Sequence, residues 1–239
     1  MKRSVSLFSA ALLSVLAFTS VSHSETENIV LTKRTKEIYE NSSEANRMNK
    51  NGTILVNLVG VGPGGAGGTG LAGGLHLDRN KLLLAEIRGG KGAITRSYSS
   101  SNGFESTSGE SESTINQVGL HYKQFVGNSF YFRMGGDYSQ VDYKYDFDVA
   151  GSSSSDFKSK FEGEALHANF TIGNQWQWEN FTLGCDWVGL ASPVYSKVKS
   201  QSLTGNPLAQ DRQDFEDDKK MLLTGGSAVL LRLYLGATF

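Results

Sequence analysis

Along most of this 239-residue chain, apolar side chains fall on every second position and charges fall on the positions between. In residues 164–178, Leu166, Ala168, Phe170, Ile172, Trp176 and Trp178 share one parity, against His167, Asn169, Thr171, Gly173, Gln175 and Gln177. In 181–195, Phe181, Leu183, Cys185, Trp187 and Ala191 oppose Thr182, Gly184, Asp186 and Ser192. Residues 129–145 set Phe130, Phe132, Met134 and Tyr138 against Tyr131, Arg133, Gly135, Asp137 and Ser139. The carboxyl-terminal stretch sets Val229, Leu231, Leu233, Leu235, Ala237 and Phe239 against Arg232, Tyr234, Gly236 and Thr238. A period of two means strands with two different faces. Such a sheet must meet two different solvents.

Beyond the amino terminus no stretch is long and apolar enough for a membrane helix, so if the mature chain spans a bilayer it does so as a closed barrel. A Lys or Arg facing lipid at mid-bilayer costs about 2–4 kcal/mol, which explains why charges and aromatics take opposite parities. The expected strands are 53–62, 69–77, 81–90, 114–125, 129–145, 164–178, 181–195 and 227–239. They predict an all-β, eight-stranded antiparallel up-and-down transmembrane β-barrel. Connections alternate between tight turns (Asp78-Arg79-Asn80, Val126-Gly127-Asn128, Glu179-Asn180) and long polar loops at 91–113, 146–163 and 196–226. In an outer-membrane barrel that alternation puts the short turns and both termini in the periplasm. In residues 129–145 the apolar parity changes after Tyr138, which predicts either a bulge near Ser139 or Gln140 or a strand continuing above the membrane. A soluble lipocalin-like barrel is the structural alternative and would need the apolar face inside.

Lys2 and Arg3, an apolar run to about Val21 and the small Ser22 and Ser24 read as a signal peptide over 1–24, cut near Glu25. Uncut, the same run would serve as a single-helix anchor. Residues 25–52 are polar and read as a mobile periplasmic arm with room for a helical turn or two, leaving 53–239 for the barrel.

A net charge of -1 offers no basic surface for nucleic acid. One cysteine, Cys185, makes no internal disulfide, and four histidines, one in the signal, give no zinc pattern. No cofactor and no metal site is expected.

Over 53–239 the chain resembles the small outer-membrane barrels of the OmpA and OmpX type, an architectural likeness carried by strand count, loop alternation and the terminal Leu235-Gly236-Ala237-Thr238-Phe239. The resemblance implies a bacterial outer-membrane location among lipids and lipopolysaccharide. It also implies a membrane-insertion signal at Leu233, Leu235 and Phe239 that is similar to the one read by the barrel assembly machinery.

The polar parity supplies a candidate lumen network of Glu86, Arg88, His121, Lys123, Arg133, Asp137, His167, Asp186, Arg232 and Tyr234, with Asp186 near Arg232 and Glu86 near Lys123 where depths match. A barrel of eight strands is narrow enough for side chains to fill it. Tyr122, Phe130, Trp176, Trp178 and Phe181 stand near the short turns, and Tyr138 and Trp187 farther along, as an aromatic girdle. Gly60-Val61-Gly62-Pro63-Gly64-Gly65 fits a nucleotide-loop pattern but lacks the helix that should follow it. His167 with Glu164 has no His-x-Ser companion of the kind a lipid hydrolase would carry. The Ser-, Gly- and acid-rich loops suit a surface ligand, or hydration alone. The role expected is non-catalytic: envelope structure and surface interaction around a filled lumen. A narrow pore is the alternative, and behind it a lipid-modifying enzyme.

Overall fold

The computed structural model describes residues 42–61, 68–99, 106–149, 157–205 and 209–239. The expected signal peptide, residues 25–41 of the expected arm and most of the glycine-rich stretch after Val61 lie outside the described residues. The elements are α1 (Ser43–Arg47), β1 (Gly52–Val61), β2 (Thr69–Asp78), β3 (Lys81–Ser99), β4 (Ser106–Val126), β5 (Phe130–Val149), β6 (Phe157–Trp178), β7 (Phe181–Thr204), α2 (Ala209–Thr224), β8 (Ser227–Val229) and β9 (Leu231–Thr238).

Every neighbouring pair of strands is antiparallel, from β1–β2 through β6–β7, and β9 closes the ring by pairing with both β7 and β1. β8 pairs with β7 and shares the last position with β9, so nine strands fill eight places. Closure leaves no unpaired edge in this part of the sheet, the usual hazard of a long strand.

The wall is uneven. β1 and β2 have 10 residues each, whereas β3 to β7 have 19 to 24. A tilted membrane strand needs only about 9–11 residues, so β3–β7 rise well past the apolar belt as tall hairpins. The described residues of the first two stretches expected as loops are therefore strand, and the last is strand up to Thr204 and then, over its acidic part, the 16-residue helix α2. These segments escape a parity reading because Ser, Gly and charges occupy both faces in the sequence, and ladder hydrogen bonds continue without an apolar side.

The parity change in β5 comes from strand continuation without a bulge: its register with β4 and β6 runs unbroken. Val141, Tyr143 and Tyr145 point inward like Arg133 and Asp137, and form an apolar upper core with Ile115, Phe157 and Phe161. Phe215 and Leu223 of α2 complete that core, so the helix packs inside the tall wall.

Two expected faces are corrected by bulges. The β6–β7 register shifts between Ile172 and Gly173, where Trp187 is the extra residue, so both Trp187 and Val188 are exposed. Beyond this point Leu190 faces out and Ala191 faces in. At Leu230 the last strand breaks, and Val229 lies inside rather than on the face of Leu231.

The interior has room for large side chains because glycine stands opposite them. A Cβ on Gly184 would overlap the ring of Tyr234, deep in the wall. Gly184→Leu is expected to prevent ring closure, read as loss of the compact, heat-modifiable band on electrophoresis.

Candidate functional site: the lumen

The lumen is layered. At the turn end sits α1, capped by Ser42, whose Oγ accepts from Ala45 N at 3.1 Å. Five residues cannot hold a helix alone, and the barrel holds this one. Arg47 is fully buried and donates to the carbonyls of Arg79 (2.9 Å), Asn128 (2.8 Å) and Gly127 (3.3 Å), with its guanidinium 3.9 Å above the Phe125 ring. Burial pushes its pKa down to about 10, so it stays charged at neutral pH. Ser43 Oγ accepts from Gln177 N at 3.0 Å, and Asn46 donates to Gln177 O at 3.0 Å. The end of the expected mobile arm is thus a plug stitched to two turns and to β6.

Above it lies a greasy layer of Leu55, Ala72, Leu82, Leu84, Phe125, Tyr131 and Tyr234. Lys123 passes through this layer with its ammonium 4.0 Å from the Tyr131 ring and 4.7 Å from the Tyr234 ring. It donates to Gln175 Oε1 at 2.9 Å and to Tyr234 OH at 3.0 Å. Aromatic faces and two oxygens replace the water that a buried cation loses. The expected pairing of Lys123 with Glu86 does not form: in register Lys123 faces Leu82, four residues nearer the turn than Glu86.

The third layer holds three carboxylates and three arginines. Asp186 accepts from Arg232 Nε at 2.7 Å and from its Nη2, from Arg133 Nη2 at 3.1 Å and from Tyr131 OH. Glu86 accepts from Asn57 at 2.6 Å, and Arg88, Arg133 and Arg232 each reach it at 3.4 Å. Asp137 takes Arg88 Nη2 and Asn169 Nδ2, both at 2.7 Å. His121 Nε2 sits 3.2 Å from both Glu86 and Asp137. These side chains come from β1, β3, β4, β5, β6, β7 and β9, so the network ties the ring across its centre.

Of the ten expected lumen residues, nine are brought together in these two layers and His167 lies at their upper edge; all ten are buried. Expected as neighbours, Asp186 and Arg232 are register partners. Tyr131, Gln175, Asn57 and Asn169 belong to the same network and carry the right parity; what a sequence hides is depth, which decides who meets whom. Arg47 gave no signal, because it enters from outside the strands.

The exterior carries the apolar residues. Phe130, Trp178 and Phe181 are exposed at the turn end, with the last two rings stacked 6.0 Å apart; Tyr122 and Trp176 there are half-buried. Tyr138 is exposed and donates to Glu164 Oε2 at 2.6 Å, and Glu164 in turn holds Lys199 at 2.8 Å, so a polar rim begins there. Trp187 stands lower than expected: its Nε1 donates to Asn174 Oδ1 at 2.9 Å, and Asn174 is the partner of Phe130, the first residue of β5. Leu233 and Phe239 face out, and Phe239 N and O bond Gly52, closing β9 onto β1. Leu235 is half-buried. Glu164 and His167 leave β6 on opposite faces, so they make no acid–imidazole pair.

No protein-family model matches the sequence, and no curated protein matches it. Among solved structures, Acinetobacter baumannii CarO superposes with a TM-score of 0.38 at 17% identity, covering 79% of this chain and 96% of that one. Acinetobacter baumannii CarO2 gives 0.42 at 14% identity over 80% and 100%. A major outer membrane protein from Thermus thermophilus gives 0.45 at 13% identity over 80% and 99%.

Proposed function

We propose that the chain is a non-catalytic outer-membrane barrel with a closed lumen, its short turns and both termini in the periplasm, and its tall β3–β7 wall outside the cell. The charged layer carries this reading. Arg88, Arg133 and Arg232 are each bonded to carboxylates of other strands, where a conducting lumen would leave them facing water. The greasy layer and α1 below it, and α2 above, add three further barriers. An exposed apolar belt with ionised groups inside is the arrangement that lipid favours and water does not. Leu233, Leu235 and Phe239 are the residues for recognition by the barrel assembly machinery, and lipids and lipopolysaccharide are the surrounding partners. The tall hairpins and α2 are the surface open to a ligand.

Purified protein in a planar bilayer is expected to show no unitary conductance steps at moderate voltage. Stable steps of uniform size would replace this reading with the narrow pore.

A further inference from the structure

From Ser192 to Thr204, β7 has a strand partner on one side only. Its lower part pairs with β9 over Phe181–Asp186 and with β8 over Gly189–Ala191, whereas above Ala191 its register runs with β6 alone among the described residues. Every residue from Val194 to Thr204 except Ser196 is exposed, so both faces of the strand are bare, apolar Val194, Tyr195, Val198 and Leu203 included. An open edge with unpaired backbone groups is a template for one more strand. A groove of about 370 Å³ runs beside it, with Ser196, Lys197 and Val198 on one wall and α2 on the other. Consecutive residues of a strand point to opposite faces, so a groove that touches all three follows the edge, where the backbone groups point.

The ring limits what can fill this edge. A strand added there stands directly above β8 and β9 and must end where they begin. The wall of a second copy continues down into its own barrel and would overlap this one, so a free extended segment fits and a second copy does not. Charge sets its composition. The helix side of the groove is balanced: Glu216 is bonded to Lys219, and Asp217 and Lys220 add one charge of each sign. The strand side is not, because residues 192–204 hold Lys197 and Lys199 and no acid. Glu164 of β6 holds Lys199 at 2.8 Å, and Lys197, its register partner, makes no ion pair among the described residues. Pro193 and the lysines also guard the edge against indiscriminate pairing, and favour a strand that brings a carboxylate.

We infer that the β7 edge above Ala191 is a strand-addition site for an extended acidic peptide of another protein, seated between β7 and α2 with a carboxylate against Lys197. The proposed orientation of the barrel enters only in where the partner is met, which is outside the cell.

The test uses purified protein in detergent and a fluorescent peptide, acetyl-Thr-Glu-Val-Glu-Val-Thr-Val-Thr-amide, whose anisotropy is expected to rise saturably. Two further peptides carry N-methyl groups on the odd or on the even amides. A strand on one edge uses alternate amides, so one of these is expected to lose at least about tenfold in affinity and the other to keep it. Lys in place of Glu in the peptide, or Lys197→Glu in the protein, is expected to weaken binding about fivefold at low salt, and the two changes together to restore it. Absence of binding, equal binding of both N-methylated forms, or a K197E variant that holds the acidic peptide as well as the parent does would each overturn the site. A peptide that binds purified protein but leaves intact cells unlabelled would uphold the edge and overturn the outward orientation.

Discussion

Asp186→Leu is expected to cost about 3–5 kcal/mol of stability, the range for breaking a buried ion pair while leaving its partner charged. Asp186 is fully buried and receives both Arg133 and Arg232. Its loss strands two buried guanidinium groups, and Glu86, already shared among three arginines and His121, cannot take up the slack. Adding Arg232→Met should recover part of the loss, because a neutral interior is cheaper than a half-paired one. Urea titration in lipid vesicles, followed by heat-modifiable migration, gives both numbers. An Asp186→Leu midpoint equal to the parent's would mean that the charges are solvated, and the closed lumen would go with it.

On the other side of the wall, Phe170→Arg is expected to lose about 2–4 kcal/mol and to insert poorly, as for a cation at the bilayer midplane. Phe170 is 42% exposed and pairs with Met134 and Leu190, which carry the belt to either side. Gln140→Arg is the control. Gln140 is also exposed, but lies two residues beyond Tyr138, where the polar rim begins. Folding yield into vesicles and urea midpoints should therefore separate the two variants. Equal tolerance of both would show that no acyl chains touch Phe170, as the soluble-barrel alternative requires.

The contrast between these two substitutions explains how much of the molecule could be read in advance. Parity alone puts Phe170 and Asp186 on opposite faces, and the lipid cost of a charge says which face is outside. The even strand number and the short turns follow from the same alternation. Parity fails wherever the backbone slips by one residue. Trp187 and Leu230 each add a residue with no marker of their own, and so a strict alternation puts Ala191 and Val229 on the wrong face. It also fails beyond the apolar belt, where the 146–163 and 196–226 stretches lose their apolar face and look like loops although their described residues are mostly strand and helix.

The two-faced sheet is written into the chain residue by residue: a side chain's parity is a local property, fixed by the pleat, and the cost of a charge in lipid acts on each position separately. Which charge meets which depends on closure of the ring, since strand register and stagger set the depth of every inward group. Glu86 meets three arginines and not Lys123 for that reason alone. Arg47 reaches its carbonyls, and α2 its aromatic seat, only once the wall exists, because neither segment has an apolar pattern strong enough to announce a partner.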